Sequence, residues 1–184
     1  MSVDEEPPRR IARTGDGRIA VRLAPRERQI LGALAADLAR AASGDLDLEP
    51  DGADDPGLAR LRPDAVRGDP EASAAFRELT SADLEEARQK RLATLASTLE
   101  GASLDEAQVG AWMGAVNDLR LVLGTRLGVT EDTGLDVPDE RDPAAADTIV
   151  FLWLGWAEEQ LVEAIEAGPP EPGRSGRQPE SPWR

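Results

Sequence analysis

Residues Ser103–Gly128, SLDEAQVGAWMGAVNDLRLVLGTRLG, read as one helix buried on two sides. Ser103 with Glu106 has the spacing of a capping box, and Gly128 stands where a left-handed C-terminal cap belongs. At 100° per residue, Val109, Trp112, Val116, Leu119, Leu123 and Leu127 share one face. A second, narrower stripe carries Ala107, Gly110, Gly114 and Leu121, small enough on average to admit another helix. Two apolar stripes place a helix centrally rather than at a surface. The expected fold is therefore mainly α, with residues 103–128 at its centre.

The flanking segments follow the same logic. Arg10–Leu23, RIARTGDGRIAVRL, alternates apolar and arginine positions around Gly-Asp-Gly, the pattern of a hairpin. Ile11, Ile19, Val21 and Leu23 would face the core, with Arg18 and Arg22 towards water. A lone hairpin is marginal in water, so this one must pack on helices. Pro25 opens a helix to about Ser43, with Ile30, Leu31, Leu34 and Leu38 as its stripe. Residues 44–57 form an acidic loop, and Leu58–Pro63 is expected to be extended because a proline follows Arg62. A short helix over 70–79 precedes a longer one, capped by Thr80 or Ser81 and lined by Leu84, Leu92, Leu95 and Leu99.

After a second acidic loop, Asp142 and Pro143 begin the last helix, which Gly168-Pro169-Pro170 stops. Val150, Leu154, Ala157, Leu161 and Ala164 make its core face. Phe151, Gly155 and Val162 recur on another side, an association strip that either the hairpin or first helix covers, or a second molecule in a homodimer. The whole is a bundle of about five helices with a short N-terminal β-hairpin packed on it. Residues 1–8 read as a disordered lead, 9–167 as a single helical domain, and 168–184 as a disordered tail.

Composition narrows the chemistry. The 184 residues carry 21 basic and 36 acidic side chains, a net charge of −15. Nucleic acid and anionic membrane both demand a cationic surface, so neither is an expected partner. Histidine, cysteine and tyrosine are absent. That removes the Ser-His and Cys-His nucleophile pairs, imidazole and thiolate metal ligands, and the commonest general base near neutral pH. Catalysis would have to rest on carboxylates, on Lys90, on an arginine or on a hydroxyl. No cofactor is expected. MSVDEEPPRR has no apolar run of a signal peptide, and Ile149–Trp156 is far short of the ~20 residues that span a bilayer. A cytoplasmic, soluble protein is the expectation.

Three motifs invite sharper readings. Leu23–Leu38, LAPRERQILGALAADL, resembles the first helix of a LuxR-type helix-turn-helix. The chain then continues SGDLDLEPDGADD, where carboxylates would repel phosphates. Asp47, Glu49, Asp51 and Gly52 imitate the start of a calcium loop, but Leu58 stands where the bidentate glutamate is needed. Arg88 and Arg120 interrupt apolar stripes. With Asn117 one turn away from Arg120, and with Arg126, they form a candidate polar cluster for an anion, a partner or internal ion pairs. Trp112, Trp153 and Trp156 read as core.

WMGAVNDLRLVLGTRLGVTED (112–132), FLWLGWAEEQLVEAI (151–165), RLRPDAVRGDPEASAAFRELT (60–80) and the hairpin with its PRER start occur in one order. Together they resemble an actinobacterial family, the domain of unknown function numbered two-zero-one-seven, over about residues 9–167. Arg62 and Val66 stand where that family usually has aromatic residues. The resemblance implies no catalytic residues. It does imply a link to Clp-type regulated proteolysis, because family genes often lie beside that of the adaptor ClpS. The sequence as a whole points to a non-catalytic accessory protein that binds another protein. The rival readings are a carboxylate- and metal-dependent enzyme, or an acidic regulator that occupies a basic surface.

Overall fold

Chain reversal at Gly17 sets the N-terminal unit. In the computed structural model, which describes residues 10–43, 55–61, 69–101, 103–130, 133, 138 and 145–168, β1 (Ile11–Arg13) and β2 (Ile19–Val21) pair antiparallel, Ile11 opposite Val21. Thr14 N–H donates to Arg18 O at 2.8 Å and Gly17 N–H to Thr14 O at 2.9 Å. Gly17 takes φ +84°, which a side chain would oppose. A third strand, β3 (Ser103–Leu104), adds to the other edge of β2, Leu104 opposite Ile19. Ile11, Ile19, Val21, Leu23 and Leu104 are all buried. The hairpin thus gains both a third strand and a helical floor, since β1 also packs on the last helix.

That third strand moves a helix start. Ser103 is committed to the sheet, so Asp105 becomes the N-cap of the central helix, α4 (Glu106–Arg126). Asp105 Oδ1 accepts from Gln108 N–H, and Gln108 Oε1 accepts from Asp105 N–H, each at 2.9 Å. The capping box exists, two residues later than Ser103 and Glu106 would place it. The C-terminal end matches expectation: Gly128 has φ +67°.

Around α4 lie α1 (Pro25–Ser43), α2 (Pro56–Arg60), α3 (Pro70–Thr98) and α5 (Ala146–Glu166). Four of the five helices and β3 touch it, so the fold is a helical bundle wrapped on one member, with a three-stranded sheet at its N-terminal end. The face carrying Val109, Trp112, Val116, Leu119 and Leu123 is buried as read from the sequence. The second buried stripe is different. It holds Ala115, Asp118 and Val122, while Ala107 and Gly110 are exposed and Leu121 is 37% exposed. Gly114 makes room for a side chain and not for a helix: a Cβ there would overlap Arg91 Cδ.

Four further expectations change. Residues 70–79 and 81–98 form one continuous α3. Thr80 does not cap, because its hydroxyl donates to Phe76 O at 2.9 Å, within the helix. Leu84 is 57% exposed, and the buried line on α3 is Arg88, Leu92 and Leu95. Leu58 lies in α2 rather than an extended segment. Asp55 caps α2 by accepting from Gly57 N–H at 2.8 Å, Pro56 fixes its first turn, and this local start governs residues 56–60. Arg18 does not simply face water: it donates to Ser103 Oγ at 2.8 Å and Ser103 O at 3.0 Å, clamping β3. Asp47, Glu49 and Asp51 lie outside the described residues, as do Arg62, Val66, Asp142 and Pro143.

Trp112 is the largest fully buried side chain of α4. It is 2% exposed, and its indole N–H donates to Thr98 Oγ1 at 2.7 Å, at the end of α3. Trp112→Ala should lower stability by about 3–5 kcal/mol in urea titration, the range for deleting a large buried aromatic. A loss below ~1 kcal/mol would show that the ring is not part of the packed core.

A candidate polar site on the central helix

α4 carries three charged residues on or beside its buried surface, and each meets a counter-charge from a different element. Asp118, 7% exposed, sits between Ala115 and Val122 on the α3 side. Its Oδ2 accepts from Arg91 Nη2 at 2.8 Å and lies 3.5 Å from Arg88 Nε. Arg88 is itself 6% exposed. It pairs with Glu85 at 2.8 Å and donates through Nη2 to Leu61 O at 3.1 Å, just after α2. Arg88 is therefore a buried crosslink among α2, α3 and α4, although its Nε, at ion-pair distance from Asp118, makes no hydrogen bond.

Arg120 pairs with Glu158 of α5, and its guanidinium lies 5.5 Å from the Phe151 ring centroid. Phe151 in turn fills the space over Gly124, where a Cβ would stand 2.8 Å from the ring. Gly155 faces the same guanidinium, at 3.5 Å from an added Cβ. Arg126 ties the last turn of α4 to the α2 cap, Nη2 at 2.5 Å and Nε at 3.2 Å from Asp55 Oδ2. So Arg88, Arg120 and Arg126 all belong to internal ion pairs, in three separate places rather than one cluster.

Asn117 is exposed and orients none of them in these contacts. The residue missed from the sequence is its neighbour Asp118. A carboxylate three residues after Ala115 and four before Val122 was the available signal, since a charge inside an apolar stripe needs a partner. In the strip Phe151, Gly155 and Val162, the first two are covered within the chain. The cover is α4, and not the hairpin or α1, because Arg120 and Gly124 open a slot there. Val162 remains 37% exposed.

A second set of contacts explains the PRER run. Glu27 pairs with Arg10, accepts from Ala24 N–H at 2.6 Å, and accepts from Trp153 Nε1 at 3.1 Å. Arg28 donates to Leu23 O at 2.6 Å. Arg10 lies 5.4 Å from the Trp156 ring centroid. These residues lock hairpin, α1 and α5 together. Glu27 and Arg28 are thereby engaged within the chain. Between α1, α2, α4 and α5 lies a cavity of about 140 Å³ with a mainly aliphatic lining that includes Leu34, Leu58 and Val122, and with Asp37, Asp55 and Arg126 as its charged residues. Among the described residues, no group of three or more acidic side chains is placed to hold a metal.

With this geometry in place, comparison with known proteins fixes the family. The sequence model of a domain of unknown function, DUF2017, matches residues 8–165. The chain belongs to the DUF2017 family. Among curated proteins it is 34% identical over 125 residues to the oxidative stress regulator AosR of Mycobacterium tuberculosis and to that of Mycobacterium bovis. Each match covers 59% of this chain and 57% of the relative. A Mycobacterium leprae relative is also 34% identical, over 131 residues, 62% of this chain and 60% of that protein. The chain thus spans less than two thirds of the length of these relatives. No solved structure matches it. Among the described residues, no helix of this DUF2017 chain is long and apolar enough to cross a membrane.

Two measurements probe the polar contacts. Asp118→Ala would take the carboxylate from Arg91 and leave buried Arg88 with Glu85 as its counter-charge, and should cost about 3 kcal/mol or more in urea titration. An effect within ~0.5 kcal/mol would mean that Asp118 is no structural partner. The Arg126 hydrogen bond, helped by the Gly57 N–H, holds the Asp55 carboxyl below its ordinary value. A depressed carboxyl stabilises the fold above its unfolded value of ~3.9, and that contribution is lost as pH falls through the lower folded value. NMR titration should place the Asp55 midpoint below ~3.9, and Arg126→Gln should raise it. A midpoint unmoved by the substitution would sink the assignment.

Proposed function

We propose that this chain is a non-catalytic regulatory protein, acting in a response to oxidative stress by binding another protein. The observation that carries the proposal is its 34% identity to curated regulators of that response. The geometry of the polar contacts is in keeping with it. The arginines with the best claim to bind a substrate anion are each matched by a carboxylate of the same chain. The chain has no cysteine, so it has no thiolate to oxidise and no disulfide to form. A role in oxidative stress would then rest on what it binds.

The test begins in the source organism. Deleting the gene should change survival and stress-gene expression under peroxide, and the intact gene should restore both. An unchanged response would remove the oxidative-stress part of the proposal. Stoichiometric, tight binding of Mg²⁺ or Mn²⁺ to the purified protein would favour a metal-dependent enzyme instead. The output is proposed to run through protein and not DNA, given the charge of −15 and the engagement of Glu27 and Arg28. Duplex DNA should show no retardation at micromolar protein and physiological salt. A sequence-specific shift would overturn that part. Within the same reading, an accessory role beside Clp-type proteolysis would appear as altered degradation of an N-degron reporter by a reconstituted ClpS-dependent Clp ATPase.

A further inference from the structure

α4 and α5 run antiparallel: Gly124 lies against Phe151, Arg120 against Gly155 and Glu158, and Val109 and Gly110 share a groove with Ile165. The phase of each helix puts Gly110, Asn117 and Leu121 of α4 along the outer lip of this seam. On α5, Val162 and Ile165 lie one and two turns beyond Glu158. Leu121 is 37% exposed, Val162 37% and Ile165 42%. At the lower end the seam opens into a groove of about 510 Å³ lined by Ile19, Leu104, Val109 and Gly110, with Arg13 and Glu106 as its charged residues. A Cβ on Gly110 would meet nothing within 4 Å, so the floor is open to an incoming side chain.

The charge of the rim decides what fits. α5 carries Asp147, Glu158, Glu159, Glu163 and Glu166 and not one lysine or arginine. Glu159, Glu163 and Glu166 recur at helical spacing beside the apolar line of Val162 and Ile165. The two arginines nearest the seam are occupied. Arg13 donates to Gly17 O at 2.9 Å, Ala164 O at 3.0 Å and Ile165 O at 3.3 Å, capping α5, and Arg120 is paired with Glu158. An apolar trough with an acidic border is complementary to a helix that has apolar residues on one face and Lys or Arg on its flanks. A second copy of this chain is a poor match, since it would set acidic rim against acidic rim on molecules that each carry −15.

We propose that the α4–α5 seam, from Leu121 to the groove at Ile165, is the docking surface for a basic amphipathic helix of a partner protein. This deepens the protein-binding reading and rests on it. Ile165 and Val162 supply the apolar contact, and Glu106, Glu159 and Glu166 select the basic flanks.

The test uses the full chain and three synthetic 18-residue peptides in fluorescence anisotropy. One has leucines at i, i+3, i+4 and i+7 flanked by lysine and arginine. The second has the same composition with the apolar face scrambled, and the third carries glutamate in place of the basic residues. The first should bind at least tenfold tighter than either other peptide, and more weakly as salt rises. Ile165→Ser should weaken it about tenfold, as should Glu159→Arg combined with Glu166→Arg, with thermal unfolding unchanged. Leu84→Ser, exposed on α3, should have no effect. Equal binding of the scrambled peptide, insensitivity to Ile165→Ser, or no binding would overturn the proposal. A dimer in sedimentation equilibrium that Val162→Arg dissociates would overturn it too, by making a second copy the occupant. If the peptides fail while gene deletion still alters the peroxide response, this surface is wrong and the regulatory reading stands.

Discussion

A central helix that carries charge into its own buried surroundings must be answered from every side. Asp118, Arg120 and Arg126 of α4 are answered by α3, α5 and the α2 cap respectively. The apolar face through Val109, Trp112, Val116 and Leu119 supplies the larger driving force, because burial of aliphatic and aromatic area dominates folding. That force alone does not fix the angle at which α3 or α5 lies on α4. Side-chain packing at each contact sets that angle, and the ion pairs tie one position on α4 to one on each neighbour. Arg88 shows the cost of such a device. Its guanidinium is buried, and a buried charge is tolerated only while its partners hold.

The same logic governs the N-terminal sheet. Three strands of two or three residues cannot stand alone in water. Arg13 ties β1 to the carbonyl end of α5, where a cation is favoured by the unpaired acceptors and the helix dipole. Arg18 ties β2 to β3, and Glu27 gathers Arg10, the α1 entry and Trp153. Basic and acidic residues that look like a recognition motif in the sequence are fasteners in the fold. What remains exposed on α5 is an acidic flank beside partly bare aliphatic side chains.

For a chain without cysteine, proposed to act by binding a partner, selectivity would come from shape and charge. The internal arginines are matched within the chain, which leaves the outward field of the molecule dominated by carboxylates. Such a field speeds encounter with basic surfaces and repels phosphate backbones. An apolar seam adds the short-range contact that long-range charge cannot supply.

The sequence by itself determined the elements whose cause is local. The hairpin followed from alternation around Gly-Asp-Gly, and the core face of α4 from helical periodicity. Leu154, Ala157, Leu161 and Ala164 were placed in the core of α5 by the same period. Family membership was legible in the NDLRLVLGTRLGVTED string. Tertiary structure alone decided what depends on a distant partner. Ser103 reads as a cap, yet pairing with β2 makes it a strand residue and moves the cap to Asp105. Gly114 reads as a helix-packing site, yet it is the passage for Arg91 on its way to Asp118. Arg88, Arg120 and Arg126 were visible as charges in apolar company, but their roles depended on Asp118, Glu158 and Asp55, up to 71 residues away. Periodicity tells which face of a helix is apolar. It carries no information about which side chain crosses from a neighbour, because that is set by the angle and register at which two helices meet.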